Sequence, residues 1–471
     1  LYTQAASTDL RPLYQQVHEY PIGGKPPLMT HIFAGPQNKI VIAAKGAPEA
    51  ILKQSNLTTE RKNAFAEEAA NLAKKGYRVL GVGTAEWNQP SWPASQQDFT
   101  FTFLGLIAFN DPPKENISKT LETFFKAGIS VKMITGDYKE TAAAIAQQVG
   151  IKRTEKIVTG EEILSFPEDK LRSVVKEVDV YARMFPGAKV KVIDALIKNG
   201  EVVAMTGDGV NDAPALKVAH IGIAMGERGS EVAKNAAALI IADDDLKHMT
   251  DAVAMGRKIY DNMKKAIQYI VSIHIPIILI VMLPLVLAWK FSLIFTPVHV
   301  VFFELIMGPT CSIIYENEPM EPGTMLRPPR TLTDTFLSMN QLFLSLIQGI
   351  AITASCLIIG YLYMQKGADE KTTRTVIFIC LLFSNIFLTL ANRSFRFSIS
   401  KTLRYKNPLL TMIILITILF IPAVLYIPFL RDIFAVGTIS LKDILFTLLA
   451  AAIGTLWIEV WKLYSPGSRM R

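Results

Sequence analysis

Cysteine is scarce in this chain: three residues in 471, Cys311, Cys356 and Cys380, each inside an apolar run. So sparse a set excludes a disulfide scaffold and reads as reduced, buried thiols. Charge is scarce too, at 19% of residues where soluble domains carry about 25%. Half the residues are apolar, which excludes both a disordered chain and a purely soluble enzyme. Lys and Arg exceed Asp and Glu by 49 to 41, but they are scattered and form no patch, so nucleic acid is not an expected partner. The opening LYTQAASTDL lacks an initiator methionine, a basic n-region and an apolar h-region, so no signal peptide is read there. Leu1 is expected to be internal to a longer protein, with a processed N-terminus as the alternative.

What is present divides the chain in two. Residues 1–265 hold 33 basic and 31 acidic residues, whereas residues 266–471 hold 16 and 10. The charge-poor half contains six apolar stretches, at 267–289, 298–315, 342–363, 376–391, 409–430 and 444–461. Spanning a bilayer takes about 17–25 such residues, so six transmembrane helices in a lipid bilayer are expected. If the first half is cytosolic, the inner loops and tail carry ten Lys or Arg against six outside, which has the sign of the positive-inside rule. Charges inside a span are costly and ask for a reason. Glu304 lies mid-span beside the Gly308-Pro309 break, and His274 lies two residues before Pro276. A carboxylate near broken helices reads as part of a cation pathway. For His274 a packed helix histidine is an equal reading, and Ser384 and Asn385 read as helix-helix glue.

Residues 99–250 alternate short apolar runs with helical patterns, beginning with TFTFLGLIAF and the turn NDPPK. Such alternation implies a parallel sheet with covering helices, whose chemistry gathers at the carboxyl ends of the strands. Two polar turns fall there, Thr135-Gly136-Asp137 and Thr206-Gly207-Asp208-Gly209-Val210-Asn211-Asp212. Two aspartates four residues apart in a glycine-rich turn suit Mg²⁺, which takes one or two carboxylates plus phosphate and water. Lys189 and the Thr135 hydroxyl are candidates for the same phosphate. Asp244, in ADDDL, reads as part of a solvated charge run.

MTGDGVNDAPAL at 205–216 resembles the hinge motif of P-type ATPases, and KGAPE, DPPK, MITGD and YARMFPGAKVKVI precede it in order. RPPR follows the second apolar stretch, so the resemblance covers nearly the whole chain and lies nearest the calcium-pump branch. It implies an α/β haloacid-dehalogenase-like phosphorylation domain at 99–250, after a partial nucleotide-binding domain at 1–98. An all-α membrane domain of six helices would follow at 251–465, and a cytosolic tail at 466–471. The expected cofactors are ATP and Mg²⁺. Asp208 and Asp212 would serve the metal, Asn211 and Asp212 would support the phosphate site, and Thr135 and Lys189 would hold the phosphoryl group. Gly136, Asp137 and Arg183 would lie near polyphosphate and ribose. Lys45 and Gly46 would line the adenine pocket, with Tyr20 stacking on adenine, and Lys25 and Arg78 reaching the nucleotide.

The family's nucleophile is the Asp of DKTGT, and no DKTGT occurs in these residues. The resemblance places it before Leu1, with four further spans and the actuator domain with its TGES loop. This polypeptide alone is therefore expected neither to autophosphorylate nor to pump, and its missing N-terminal half is an expected partner. Calcium pumps carry Asn and, three residues on, Glu where this chain has His274 and Ile277, and a NLVTD run where it has Glu304 to Gly308. Calcium is the leading ion. The resemblance implies a multi-pass protein of a bacterial plasma membrane. The other readings are a half-pump that binds ATP without turnover, a membrane-anchored phosphatase of the same fold, and a lipid-flipping member.

Overall fold

The computed structural model describes residues 9–23, 27–89, 91–291, 293–331 and 333–464. It divides after Thr250 into two compact units.

The first unit opens with a five-stranded antiparallel sheet in the order β1 to β5, formed by Gln15–Gly23, Leu28–Ala34, Ile40–Gly46, Arg78–Ala85 and Thr102–Phe109. Helices α1 (Pro48–Lys53) and α2 (Thr59–Lys74) lie between β3 and β4 in the chain. Alternate residues of β2 and β3 turn inward, so Leu28, Ile32, Ile42 and Ala44 meet Ile51, Phe99 and Phe101 in one core. Each fully buried aliphatic side chain there contributes about 1.5–3 kcal/mol. A side chain at Gly46 would meet the Leu28 Cα at 2.6 Å, so β2 and β3 can close here only on glycine. The strand TFTFLGLIAF was expected to open the parallel sheet. Instead, as β5, it pairs antiparallel with β4 from Arg78↔Phe109 to Thr84↔Thr102.

The rest of the unit alternates strands and helices as the sequence pattern predicts. α3 (Ile117–Lys126) precedes β6 (Met133–Ile134), and α4 (Lys139–Val149) follows it. β7 (Ile157–Thr159), β8 (Val180–Ala182), α5 (Pro186–Lys198), β9 (Ala204–Gly207), α6 (Ala213–Val218), β10 (Ile221–Met225) and β11 (Leu239–Ile241) come next. All pairings are parallel, but they form two three-stranded sheets, β6-β8-β7 and β11-β10-β9. Among the described strands, β6 and β9 are each paired on one side only.

Asp244 does not lie on a solvated face. It is 6% exposed and accepts the backbone N–H groups of Glu227 and Arg228 at 3.1 and 3.0 Å. Burial pushes its carboxyl up, but backbone N–H donors outweigh that and hold it below the usual carboxylate range. Its φ of 56° is left-handed, a conformation that Asp tolerates better than most residues.

The second unit is helical, and six of its helices are long and apolar enough to cross a membrane. They are α7 (Lys247–Val286), α8 (Pro297–Pro309, continued by a wide turn over Thr310–Tyr315), α9 (Met339–Gln365), α10 (Glu370–Ala391), α11 (Pro408–Tyr426) and α12 (Leu441–Tyr464). α7 is continuous over 40 residues, with Pro276 and Pro284 inside it. Pro309 has no N–H to continue the helical ladder, and the chain widens into a π turn there. Pro428 ends the fifth apolar stretch as a regular span, and a short helix, Pro428–Ile433, follows α11. α10 is buried along nearly its whole length, and Cys356 of α9 and Cys380 of α10 are free, buried thiols, as the sequence suggested.

Candidate functional site

The two polar turns stand at the carboxyl ends of β6 and β9, where a parallel sheet presents its loops. Asp212 is 8% exposed, and its Oδ1 accepts the Lys189 ammonium at 2.5 Å. Its Oδ2 accepts the backbone N–H of Gly209 at 3.2 Å. A Cβ at Gly207 would lie 2.5 Å from the Asp212 Cβ, so only glycine lets this side chain fold back under the turn. The result is a buried carboxylate that fixes the lysine in place. Both Asp212 oxygens are occupied, so the structure gives this residue a positioning arrangement rather than an open metal-ligating one. Asp208 differs: it is exposed, and among the described residues no side chain pairs with its carboxylate. Asn211 is exposed on the short turn beside it.

These residues fit Mg²⁺ in the manner expected of an ion that takes most of its ligands from substrate and water. No group of three or more acidic, His or Cys side chains that could cage a metal occurs among the described residues. One open carboxylate beside a fixed lysine is consistent with an ion that arrives with phosphate.

The turn after β6 is pre-organised by its own side chains. The Thr135 hydroxyl donates to Asp137 Oδ2 at 2.9 Å and accepts the Asp137 N–H at 3.1 Å. Asp137 Oδ1 lies 3.4 Å from Arg78 Nε, at the first residue of β4. Gly136, between them, is exposed. Arg183, directly after β8, pairs with Glu49 of α1, and its guanidinium lies 5.0 Å from the centre of the Tyr138 ring. The residues after β6 and β8 therefore meet those of β4 and α1 along one seam. Lys45 is exposed on β3, and Gly46 ends that strand. Glu49 and Tyr138 were missed as members of this seam. KGAPE marked the place, but no sequence spacing pairs its glutamate with Arg183.

Two expectations for the nucleotide fare differently. Tyr20 is 9% exposed, its hydroxyl donates to the Pro93 carbonyl, and its ring packs edge-on against Phe99. The core has taken up that ring, which corrects the expectation that it stacks on a ligand. Lys25 lies outside the described residues.

In the helical unit His274 and Glu304 are neighbours, with Nε2 and Oε1 3.3 Å apart. His274 Nδ1 also lies 2.8 Å from the Ile270 carbonyl. Glu304, read from the sequence as part of a cation pathway, is not buried in the helix bundle: its side chain is 57% exposed among the described residues. Buried charge lies elsewhere, on both helices and loops. Glu318 pairs with Arg393 at 2.8 Å, both side chains 1% exposed, and Lys265 pairs with Glu321 at 2.8 Å. Asn407 Nδ2 donates to Glu318 Oε1 at 2.8 Å, and Asn262 Nδ2 donates to the Glu318 carbonyl at 2.8 Å. Sequence reasoning did not find these pairs, because their partners are 56 to 89 residues apart.

Comparison with known proteins bears on both units. Residues 25–220 match the haloacid dehalogenase-like hydrolase family, and residues 292–464 match the family described as cation transporting ATPase, C-terminus. Calcium-transporting ATPase 1 of Saccharomyces cerevisiae is 32% identical over 97% of this chain and 50% of its own length. Calcium-transporting ATPase type 2C member 1 of Homo sapiens is 33% identical over 86% of the chain and 44% of its own length. Calcium-transporting ATPase 1 of Bacillus cereus is 30% identical over 96% of the chain and 54% of its own length. The chain thus spans about half the length of the curated relatives it matches. The hinge turn with its fixed lysine, the haloacid-dehalogenase-like domain and the six apolar helices agree with these matches, and the chain belongs to the cation-transporting P-type ATPases.

Proposed function

We propose that this chain forms the nucleotide-handling and part of the membrane machinery of an ATP-driven cation pump that works through an aspartyl-phosphate. The observation that carries this reading is the Lys189–Asp212 pair beside the open Asp208 carboxylate, at the carboxyl end of a parallel strand. Phosphoryl transfer asks the protein mainly for positioning and for charge to meet the spreading negative oxygens. Lys189, held at 2.5 Å by a buried carboxylate, supplies a fixed positive charge. Thr135 supplies a hydroxyl once it turns from Asp137. Mg²⁺, when bound at Asp208, would neutralise phosphate charge. Arg78, Lys45, Asp137 and Arg183 along the seam would hold the nucleotide. Calcium is the leading ion, a reading supported by the names of the relatives. Soluble domains in the cytosol are proposed, a reading supported by the sign of the loop-charge bias.

Titration of the full chain in detergent with ATP tests the site. Lys45→Ala and Arg78→Ala are each expected to weaken binding several-fold, since an exposed charge contact is worth about 0.2–1 kcal/mol and more once phosphate covers it. Unchanged affinity in both variants would remove these residues from the site.

For the ion path, a carboxylate at mid-membrane costs about 2.5–3.5 kcal/mol unless it is neutral, paired or functional. Glu304, paired with His274, is proposed to bind or release the cation. In a pump that turns over, Glu304→Gln is expected to lower ion-stimulated ATPase while leaving nucleotide affinity unchanged. His274→Ala should have a smaller effect. Ion-stimulated turnover equal to wild type at mildly acidic and mildly basic pH alike would make this carboxylate structural.

A further inference from the structure

We infer that Glu49 is a determinant of nucleotide affinity that acts as an internal competitor. Together with Asp137 it latches the antiparallel lobe to the parallel-sheet lobe by occupying the arginines that a polyphosphate would engage. The inference rests on the nucleotide reading of the seam given above.

Arg183 is held where it is by more than Glu49. Its backbone adopts φ 52°, a left-handed conformation costly for a residue with a long side chain. Its N–H donates to the Asp137 carbonyl at 3.0 Å, and its guanidinium lies over the Tyr138 ring. With backbone and ring fixing the guanidinium, its pairing with Glu49 becomes a bridge between lobes, because Glu49 sits in the first turn of α1. Arg78 and Asp137 form a second bridge between β4 and the turn after β6. A third contact, uncharged, runs from the Thr141 hydroxyl to the Tyr77 carbonyl at 3.0 Å.

Both ionic bridges use the same chemistry. Each sets a carboxylate against an arginine, and a carboxylate presents the same planar pair of oxygens that a phosphate offers. A nucleotide entering the seam meets arginines already neutralised, and it meets the negative charge of Glu49 besides. Binding then requires Arg183 to exchange one anion for another. Glu49 lowers affinity and keeps the lobes together until the polyphosphate displaces it. Side-chain exposures of 24% for Arg183 and 41% for Glu49 place the pair partly in solvent, so the effect is modest.

The test uses the full chain in detergent, as wild type, Glu49→Gln and Glu60→Gln. Glu60 is exposed in the first turn of α2, so its variant removes the same charge without touching the seam. Titration with ATP in Mg²⁺ should show Glu49→Gln binding about two- to fivefold more tightly than wild type, with Glu60→Gln close to wild type. Without nucleotide, amide exchange across 46–53 and 181–185 should be faster in Glu49→Gln. Equal affinity and equal exchange in wild type and Glu49→Gln, with both binding ATP, overturns the latch and leaves the nucleotide site standing. Weaker binding in Glu49→Gln makes Glu49 a ligand contact and overturns the latch as well. No binding by any of the three overturns the latch together with the nucleotide reading.

Discussion

Asp208→Ala is expected to abolish ATP-derived phosphoenzyme when the chain is joined to the segment that carries the phosphate-accepting aspartate. The transferring phosphoryl group spreads its charge over three oxygens, and preorganised positive charge supplies the main catalytic effect. Two sources of such charge are set at the end of β9. Lys189 is one, half-buried and paired with Asp212. The other is the Mg²⁺ proposed above, for which Asp208 would offer its open carboxylate. Removing one such charge-stabilising group costs about 10²–10³ in rate, and loss of a divalent ion costs at least as much. Asp169, exposed on the helix Glu168–Glu177, is the control, and its alanine variant should phosphorylate at the wild-type rate. Radiolabel from ATP trapped in acid reads the outcome. Labelling of Asp208→Ala at the wild-type level would show that the metal is held elsewhere. Asp244, which a reading of the bare sequence would choose as a solvated control, is unsuitable. Its carboxylate holds two backbone N–H groups, and its loss would perturb the fold.

The turns after β6 and β9 were legible because their chemistry is local. Residues two or three apart carry the Thr135–Asp137 hydrogen bonds and the Gly209–Asp212 contact, and such spacing survives in any register. The partner of Asp212 was less legible, since Lys189 comes from the first turn of α5, 23 residues back. Seam pairings lay beyond reach for the same reason, with Arg183 and Glu49 134 residues apart. β5 shows a different limit. Its apolar run fits a strand in either sheet, and only pairing with β4 decides between them. Tyr20 shows a third: the family resemblance implied a stacking position, and packing against Phe99 decided for the core.

The membrane helices were legible in number but not in length. α10 begins at Glu370, although its apolar run was read from residue 376, because Arg374 interrupts the pattern. That arginine is buried, with its guanidinium donating to the carbonyls of Leu293, Ile294 and Ala435. α12 likewise extends past the residue where Lys462 seemed to close it. The Lys462 ammonium donates to the Ala391 carbonyl at 2.6 Å and pairs with Glu459. A charge ends a hydrophobic window by composition alone. In the fold it need not end the helix, provided that carbonyls and carboxylates at the helix ends satisfy it.

Arg393→Met is expected to destabilise the helical unit by about 3–5 kcal/mol, the usual result of removing one partner from a buried ion pair. Glu318 and Arg393 are each 1% exposed, and one oxygen of Glu318 already has no hydrogen-bond partner among the described residues. Without the guanidinium, the carboxylate would keep only the Asn407 amide, and the Tyr405 carbonyl would lose its donor from Arg393. The penalty is one of stranded charge rather than of lost contact. The double variant Glu318→Met/Arg393→Met should therefore recover most of the loss, since apolar side chains of similar volume remove both desolvation costs at once. Thermal unfolding of the full chain in detergent, followed for wild type and both variants, separates the cases. A double variant no more stable than Arg393→Met would mean that the pair orders the loops around 316–330 and 393–407 by its geometry, beyond balancing its own charges. Wild-type stability in Arg393→Met would show that solvent reaches Glu318.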